Sequence, residues 1–371
     1  MATQLLTIKQ LTEEVGGGLT PRMVRHYHKL GLLPQAQRSS GNYRLYTDDD
    51  VRHLRRIVAL KSQGFQLDHI RKLLATNPGA TNFDSLTTQL QQQYQSVMEQ
   101  LVRLRQTASA LEGLLGRDRC CQNIQAQALG QLRQLEIESS FGLEELEQLW
   151  DGLDAACDAH PEDFSESLQR LLPDLSDKNE IERDLLSKLV LACGDVSLID
   201  FVRLSSGAIA SARHNLKAKC EIVADVSPVV AAVDRTRIAH LGCNVKTIIE
   251  DPHIHSVDEA ERKFWQSGEC DRQLKKLAPG CILVIGYAPS VLISALKSIE
   301  KGQLQPSLII GMPIGFSHAP AAKRRLMRSG VEYITTSGTL GGGLLAAVAL
   351  NALVESLIEK PNCHCYLGKS N

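Results

Sequence analysis

A chain of 371 residues, 43% hydrophobic and 22% charged, exceeds one ordinary core and is expected to divide into two or three domains; no run approaches the ~20 apolar residues of a membrane helix. The net charge of -1 conceals a division, since residues 1–75 carry a net +6 and residues 76–371 a net -7, so only the first part suits a polyanion. Ten cysteines behind a start that lacks the basic-then-apolar layout of an export signal read as reduced thiols, and the expected location is cytoplasmic.

Leu6, Ile8, Leu11 and Val15 recur at helical spacing, and Gly16-Gly17-Gly18 predicts a tight turn after them. Thr20 is the expected cap of a second helix that begins at Pro21, turns Arg22 and Arg25 outward and packs Val24 inward. The run from Arg38 to Tyr46 places a glycine turn between extended segments bearing arginine and aromatic residues, which suits a β-wing lying on phosphates. Thr47 caps a further helix through Ala59. From Leu90, the positions Tyr94, Val97, Leu101, Leu104, Ala108, Leu111 and Leu115 alternate by four and three residues, a heptad seam that asks for a partner helix; Gly116 closes it.

Beyond a Gln-rich connector, short β-like runs at 221–224, 245–249, 281–285, 308–310 and 332–336 alternate with helical segments, including 290–301, 318–329 and 343–359, the pattern of an α/β domain on a mostly parallel sheet. The expected architecture is multidomain: an N-terminal winged helix-turn-helix (1–75), a long dimerisation coiled-coil helix (76–119), a connector (120–148), the α/β domain (149–358) and a tail (359–371). Lys360-Pro361 ends the last helix, and Cys363-His364-Cys365 follows. Two thiolates and an imidazole within three residues suit a borderline-soft divalent ion, zinc, cobalt or nickel, with a fourth ligand from elsewhere. His253 and His255 read instead as a surface turn after Asp251-Pro252, and Gly368-Lys369-Ser370 lacks the upstream glycine of a phosphate loop.

The segments TIKQLTEEV, TPRMVRHYHKLGLLP, RSSGNYRLYTDDDV and GFQLDHIRKLL resemble, in order and spacing, the DNA-binding domain of the MerR family. The resemblance implies a homodimer on two-fold promoter DNA, distorting it for RNA polymerase when an effector is bound. It puts Thr20, Arg22, Arg25, Tyr27, Arg38, Tyr43 and Arg44 at the DNA.

The segments ACGDVSLIDFVRLSSGAI, EIVADVSPVVAAV, VIGYAPSVLISAL and the stretch from LIIGMPIGF to TTSGTLGGG resemble precorrin-8X methylmutase over about residues 150–358. In that family a histidine before the Gly-Asp step donates a proton and arginines near the Gly-rich loop hold substrate carboxylates. Here those positions read Leu191, Ser337 and Thr339, so loss of isomerase activity is expected, since leucine cannot donate a proton. What remains is a ligand pocket with Gly341 and Gly342 at its wall and Tyr287 where a smaller polar residue is usual. His214, His240 and His318 are the alternatives for the missing acid.

The domain order together with the Cys-His-Cys tail resembles the cobalt-responsive activators of the MerR type. That implies Co(II), with Zn(II) able to substitute in vitro, as the effector, a cobalt export gene as the target, and Cys120 and Cys121 as further ligands. A regulator reading a corrinoid through the pocket, and one that keeps its enzyme activity, are the competing expectations.

Overall fold

The computed structural model describes residues 5–39, 41–62, 65–74, 83–115, 162–267 and 270–366; the expected connector, with Cys120 and Cys121, lies outside them. The chain forms two compact units, residues 1–112 and 113–371.

In the first unit β1 (Leu6–Thr7) leads into α1 (Ile8–Val15). Leu6 therefore belongs to a strand and not to the helix its spacing predicts, because Thr7 is the cap: its hydroxyl accepts from the Gln10 N–H while the Gln10 side chain accepts from the Thr7 N–H at 2.9 Å. Gly16, Gly17 and Gly18 all have positive φ, a conformation that disfavours any side chain and lets the chain reverse within three residues. α2 (Pro21–Lys29), β2 (Gln37–Arg38), β3 (Arg44–Tyr46), α3 (Asp48–Ser62), α4 (Leu67–Leu74) and α5 (Phe83–Leu115) follow. The three strands form an antiparallel sheet in the order β1-β3-β2. A reciprocal box between Thr47 and Asp50 starts α3. Leu11, Val24, Tyr46, Leu54, Ile57 and Ile70 close the core. The 33 residues of α5 span about 50 Å, and Tyr94, Val97, Leu101, Leu104 and Leu111 of its seam are exposed.

The second unit begins with α6 (Phe164–Leu171) and α7 (Glu180–Cys193), then a 3₁₀ turn (Val196–Phe201) and β4 (Val202–Leu204). There follow α8 (Ala208–Lys217), β5 (Glu221–Val226), α9 (Ser227–Ala232), α10 (Arg235–His240), β6 (Asn244–Ile249), α11 (Val257–Ser267), α12 (Cys270–Leu274), β7 (Ile282–Ile285) and α13 (Pro289–Glu300). Last come β8 (Leu308–Gly311), α14 (His318–Leu326), β9 (Tyr333–Thr336) and α15 (Gly343–Glu359). The sheet order is β4-β9-β8-β7-β5-β6. β4 pairs antiparallel with β9, and every other pair is parallel.

The five strands expected from sequence are the five parallel ones. The central strands β5, β7 and β8, buried on both faces, appear as apolar runs such as Ile282 to Ile285, whereas the edge strand β6 alternates exposed and half-buried residues before Ile248 and Ile249. α15 packs on β7 and β8 together with α7 and α8. α13 packs on β7, and α14 on β9. After β5 the chain adds β6 on one side and then crosses to place β7 on the other. That reversal lies at the carboxyl ends of β5 and β7, the place where open α/β sheets bind ligands.

No helix among the described residues is long and apolar enough to cross a membrane.

Candidate functional site

Three places concentrate chemistry. In the first unit, Thr20 caps α2 by accepting from the Met23 N–H at 3.3 Å. The helix period then turns Val24 and Tyr27 into the core and Arg22, Arg25 and His26 outward. Tyr27, assigned to the DNA by family position, is 1% exposed and is corrected to a core residue. Its i, i+3 relation to Val24 carries that signal in the sequence.

In the wing, Arg38 and Arg44 face each other across β2 and β3, the Arg38 guanidinium donates to Asn42, and Tyr43 stands 75% exposed at the tip. Arg25, Arg38, Asn42, Tyr43 and Arg44, with Thr7 and Ile8, line one cavity of about 310 Å³. Among the described residues no carboxylate pairs with Arg22, Arg25, Arg38 or Arg44. Like charges opposed across strands destabilise a bare sheet, and an arriving phosphate backbone relieves them. His28 braces helix against wing through the Tyr46 hydroxyl at 3.2 Å; burial first, then Arg44, lowers the His28 pKa.

The second place is the crevice of the sheet. Asp225, fully buried at the end of β5, accepts from the backbone N–H groups of Gly286, Tyr287 and Ala288 at 3.1, 2.7 and 2.9 Å and from Val226 at 3.0 Å. Burial pushes its pKa up to about 6 against those four donors. The loop so held brings Gly286 against Gly343 at the start of α15, and a Cβ on either glycine would collide with its neighbours. The Tyr287 ring lies on Gly343.

The neighbouring wall, residues 337–342, is tied down from behind. Buried Lys323 donates to Thr336 Oγ1 at 3.0 Å and to the carbonyls of Gly338 and Leu340, and burial pushes its pKa down to about 8. Ser337 donates from its N–H to the Phe201 carbonyl at 2.7 Å, and Thr339 is exposed. The Gly342 N–H, expected to face the pocket, is taken by the Met312 carbonyl at 2.7 Å, and a Cβ on Gly341 would strike that same carbonyl. These glycines serve close packing and the start of α15. Ile314, Phe316 and Leu340 on the two loops so joined, and Leu344 on the first turn of α15, are exposed apolar residues. Leu191 lies on α7, 48% exposed, and His214, His240 and His318 are all exposed.

The third place is the segment after α15. Arg213 on α8 is 1% exposed and has no carboxylate partner among the described residues. Its guanidinium donates to the Ser356 carbonyl and hydroxyl at 2.7 and 2.8 Å, to the Lys360 carbonyl at 3.0 Å, and to those of Pro361 and Cys363 at 3.4 Å. It also lies 5.1 Å from the centre of the Tyr366 ring, a cation–π distance. The carbonyl end of α15 supplies the matching partial negative charge. Residues 360–366 are thus held on the core, contrary to the expectation of a flexible tail.

The Cys363 and Cys365 sulfurs are 2.8 Å apart, and one Glu180 carboxylate oxygen lies with them, all three atoms within 4.8 Å of one another. His364 falls outside that group; its ring is beside Tyr366, 6.5 Å centre to centre. Burial and then Cys365 raise the Cys363 pKa. For Cys365 burial works the same way, but Cys363 and the backbone N–H groups of Ile181 and Glu180 outweigh it and lower the pKa. Cys365 is thus the more acidic of the two thiols, and it lies at the start of α7, where the helix dipole favours a negative charge. Two sulfurs and a carboxylate are a donor set for a borderline divalent ion, and bonds of about 2.3 Å at a tetrahedral angle require the sulfurs to part to about 3.7 Å. Glu180, Arg213, Asp225 and Lys323 escaped the sequence reading.

His253 and His255 lie on an exposed turn whose amides donate to Asp251 and Glu259.

Comparison with known proteins separates these places. Residues 164–356 match the precorrin-8X methylmutase family and residues 6–77 the MerR HTH family of regulatory proteins. A precorrin-8X methylmutase from Sinorhizobium sp is 33% identical over 49% of this chain and 87% of its own length. One from Pseudomonas aeruginosa is 32% identical over 46% of this chain and 81% of its own. The solved precorrin-8x methyl mutase of Thermus thermophilus is 27% identical, with a TM-score of 0.41, over 48% of this chain and 87% of that one. The wing and recognition helix fall in the second match, the crevice in the first, and Cys363 and Cys365 beyond both. Through residues 164–356 the chain belongs to the precorrin-8X methylmutase family, and at 6–77 it carries a MerR-family DNA-binding domain.

Proposed function

We propose that the chain is a cobalt-responsive transcriptional activator. Its MerR-type head binds promoter DNA as a homodimer through α2, the wing and the seam of α5. Co(II) held by Cys363 and Cys365 switches it on, and the regulated gene removes cobalt. The observation that carries this reading is the thiol pair fixed on the core by buried Arg213. A sensor needs donors whose position the ion can change, since an effector acts only through unequal affinity for two states. RNA polymerase at the distorted promoter is the partner that reads the change.

The methylmutase-like body works, in this reading, as a scaffold without isomerase activity. Leu191, Ser337 and Thr339 stand where the resemblance requires a proton donor and carboxylate-binding arginines; a lost general acid alone costs about 10²- to 10⁴-fold. Anaerobic protein titrated with Co(II) should develop thiolate charge-transfer absorption, absent in Cys363→Ser, and the same variant should lose cobalt-dependent activation while apo operator binding stays intact. Incubation with precorrin-8X should give no methyl migration, and turnover near that of the authentic enzymes would refute the scaffold role.

A second reading has its own support: Ile314, Phe316 and Leu340 on loops and Leu344 on the first turn of α15 are exposed near the carboxyl ends of β7 and β8, an apolar surface that suits a flat, largely apolar ring. Retained cobalt activation in Cys363→Ser, with a response to added corrinoid, would favour it.

A further inference from the structure

We propose that Glu180 is a third protein ligand of the ion held by Cys363 and Cys365, and that Lys360 passes from Glu180 to Asp184 when the ion binds. The inference rests on the proposed metal-sensing role of the two cysteines. It adds a residue 183 positions away in sequence, inside the methylmutase match, to a site otherwise confined to the segment beyond it.

The geometry comes from two helix ends that meet. Glu180 is the first residue of α7, whose cap is the Asn179 side chain accepting from the Glu182 N–H at 2.9 Å. Lys360 closes α15. Arg213 holds the Lys360 and Cys363 carbonyls, so the cysteine pair is delivered to the start of α7, where the Ile181 and Glu180 N–H groups favour the charged form of Cys365. The Glu180 carboxylate then lies within ligand distance of both sulfurs, and it is exposed, free to swing without dismantling the core.

In the ion-free protein Glu180 is not idle. The Lys360 ammonium bridges it at 2.7 Å and also contacts Asp184. Asp184 is one helical turn further along α7, on the same face. One cation thus holds two carboxylates, and either suffices to anchor it. An arriving divalent ion takes Glu180 and leaves Lys360 on Asp184. Two thiolates and one carboxylate sum to three negative charges against the ion's two positive ones, so the ligand set carries one net negative charge, while Lys360 and Asp184 beside it form a neutral pair. A hard oxygen beside two soft sulfurs also favours a borderline ion such as Co(II) or Zn(II) over Cu(I), which prefers sulfur alone.

The test is anaerobic Co(II) titration of the full chain, followed by thiolate charge-transfer and d–d absorption, with affinity from chelator competition. The proteins are wild type, Cys363→Ser, Glu180→Gln and Lys360→Met. Glu180→Gln should keep the charge-transfer band, shift the d–d bands and weaken Co(II) binding by at least about tenfold, the smallest loss expected even of groups one shell further out. Lys360→Met removes the same ion pair without removing a ligand and should bind at least as tightly as wild type. Glu180→Gln indistinguishable from wild type overturns the inference. Equal weakening in Glu180→Gln and Lys360→Met also overturns it, assigning Glu180 to the salt bridge alone. A wild-type protein without thiolate charge transfer, or Cys363→Ser that retains it, refutes the underlying sensing role whatever Glu180 does.

Discussion

The two ends of α15, seventeen residues and about 25 Å apart, have opposite histories written in their side chains. At its start Asp225 gathers three loop amides and Lys323 pins residues 336–340. In the proposed reading the groups that would act on a substrate are missing there, with Leu191, Ser337 and Thr339 at the positions where the family resemblance asks for a proton donor and arginines. At its finish the family match ends, and groups able to bind an ion are brought onto the core. The difference teaches that a fold is held by buried polar contacts that evolve separately from the exposed groups that do chemistry.

The strongest way to break that comparison is at Arg213. Replacing it with methionine keeps volume and leaves the Ser356, Lys360, Pro361 and Cys363 carbonyls without their shared donor. A cost of about 1 to 3 kcal/mol in urea unfolding is expected, the range for leaving buried acceptors without a donor, with loss of Co(II) affinity. Unchanged stability would mean that residues 360–366 are not part of the packed body.

The start of α15 is tested at Asp225. Its folded pKa of about 6 lies above the ordinary carboxylate value. The folded protein therefore binds a proton that the unfolded chain does not between about pH 4 and pH 6, and stability falls as pH rises through that window. The shift of about two units corresponds to about 3 kcal/mol. Surface carboxylates such as Asp234 and Asp251, whose pKa values are lowered by hydrogen bonds, slope the other way, so the measurement is the difference between wild type and Asp225→Asn across pH 4 to 7. No difference in slope would show that Asp225 stays charged throughout.

Much of this scaffold was legible in the sequence because it is periodic. Parallel strands buried on both faces read as apolar runs, and caps such as Thr20 and Thr47 announce their helices. β4 escaped because it has three residues with only Val202 buried, too short for a period to show. Arg213 left a trace, since it shares the apolar stripe of Ile209, Ala212 and Leu216 on α8, a face where arginine needs a reason. Glu180 left none. A carboxylate on the first turn of a helix is ordinary, and only the tertiary packing of α7 against α15 brings it to Cys363 and Cys365.

The head repeats the contrast between scaffold and working residue on a smaller scale, within one family match. Tyr27 is buried and its hydroxyl has no hydrogen-bond partner among the described residues, whereas Arg44 is exposed on the wing beside Arg25 and Arg38. Removing an unsatisfied buried hydroxyl relieves a desolvation cost, so Tyr27→Phe should raise stability by about 1 kcal/mol and leave operator affinity unaltered. Arg44→Ala should do the reverse: stability stays, affinity falls alike for operator and random DNA, and the slope of log affinity against log salt drops by about one. Fluorescence anisotropy over a salt series measures both. An affinity loss in Tyr27→Phe would return Tyr27 to the interface and require α2 to rotate on binding, and an unchanged salt slope in Arg44→Ala would remove the wing from the phosphates.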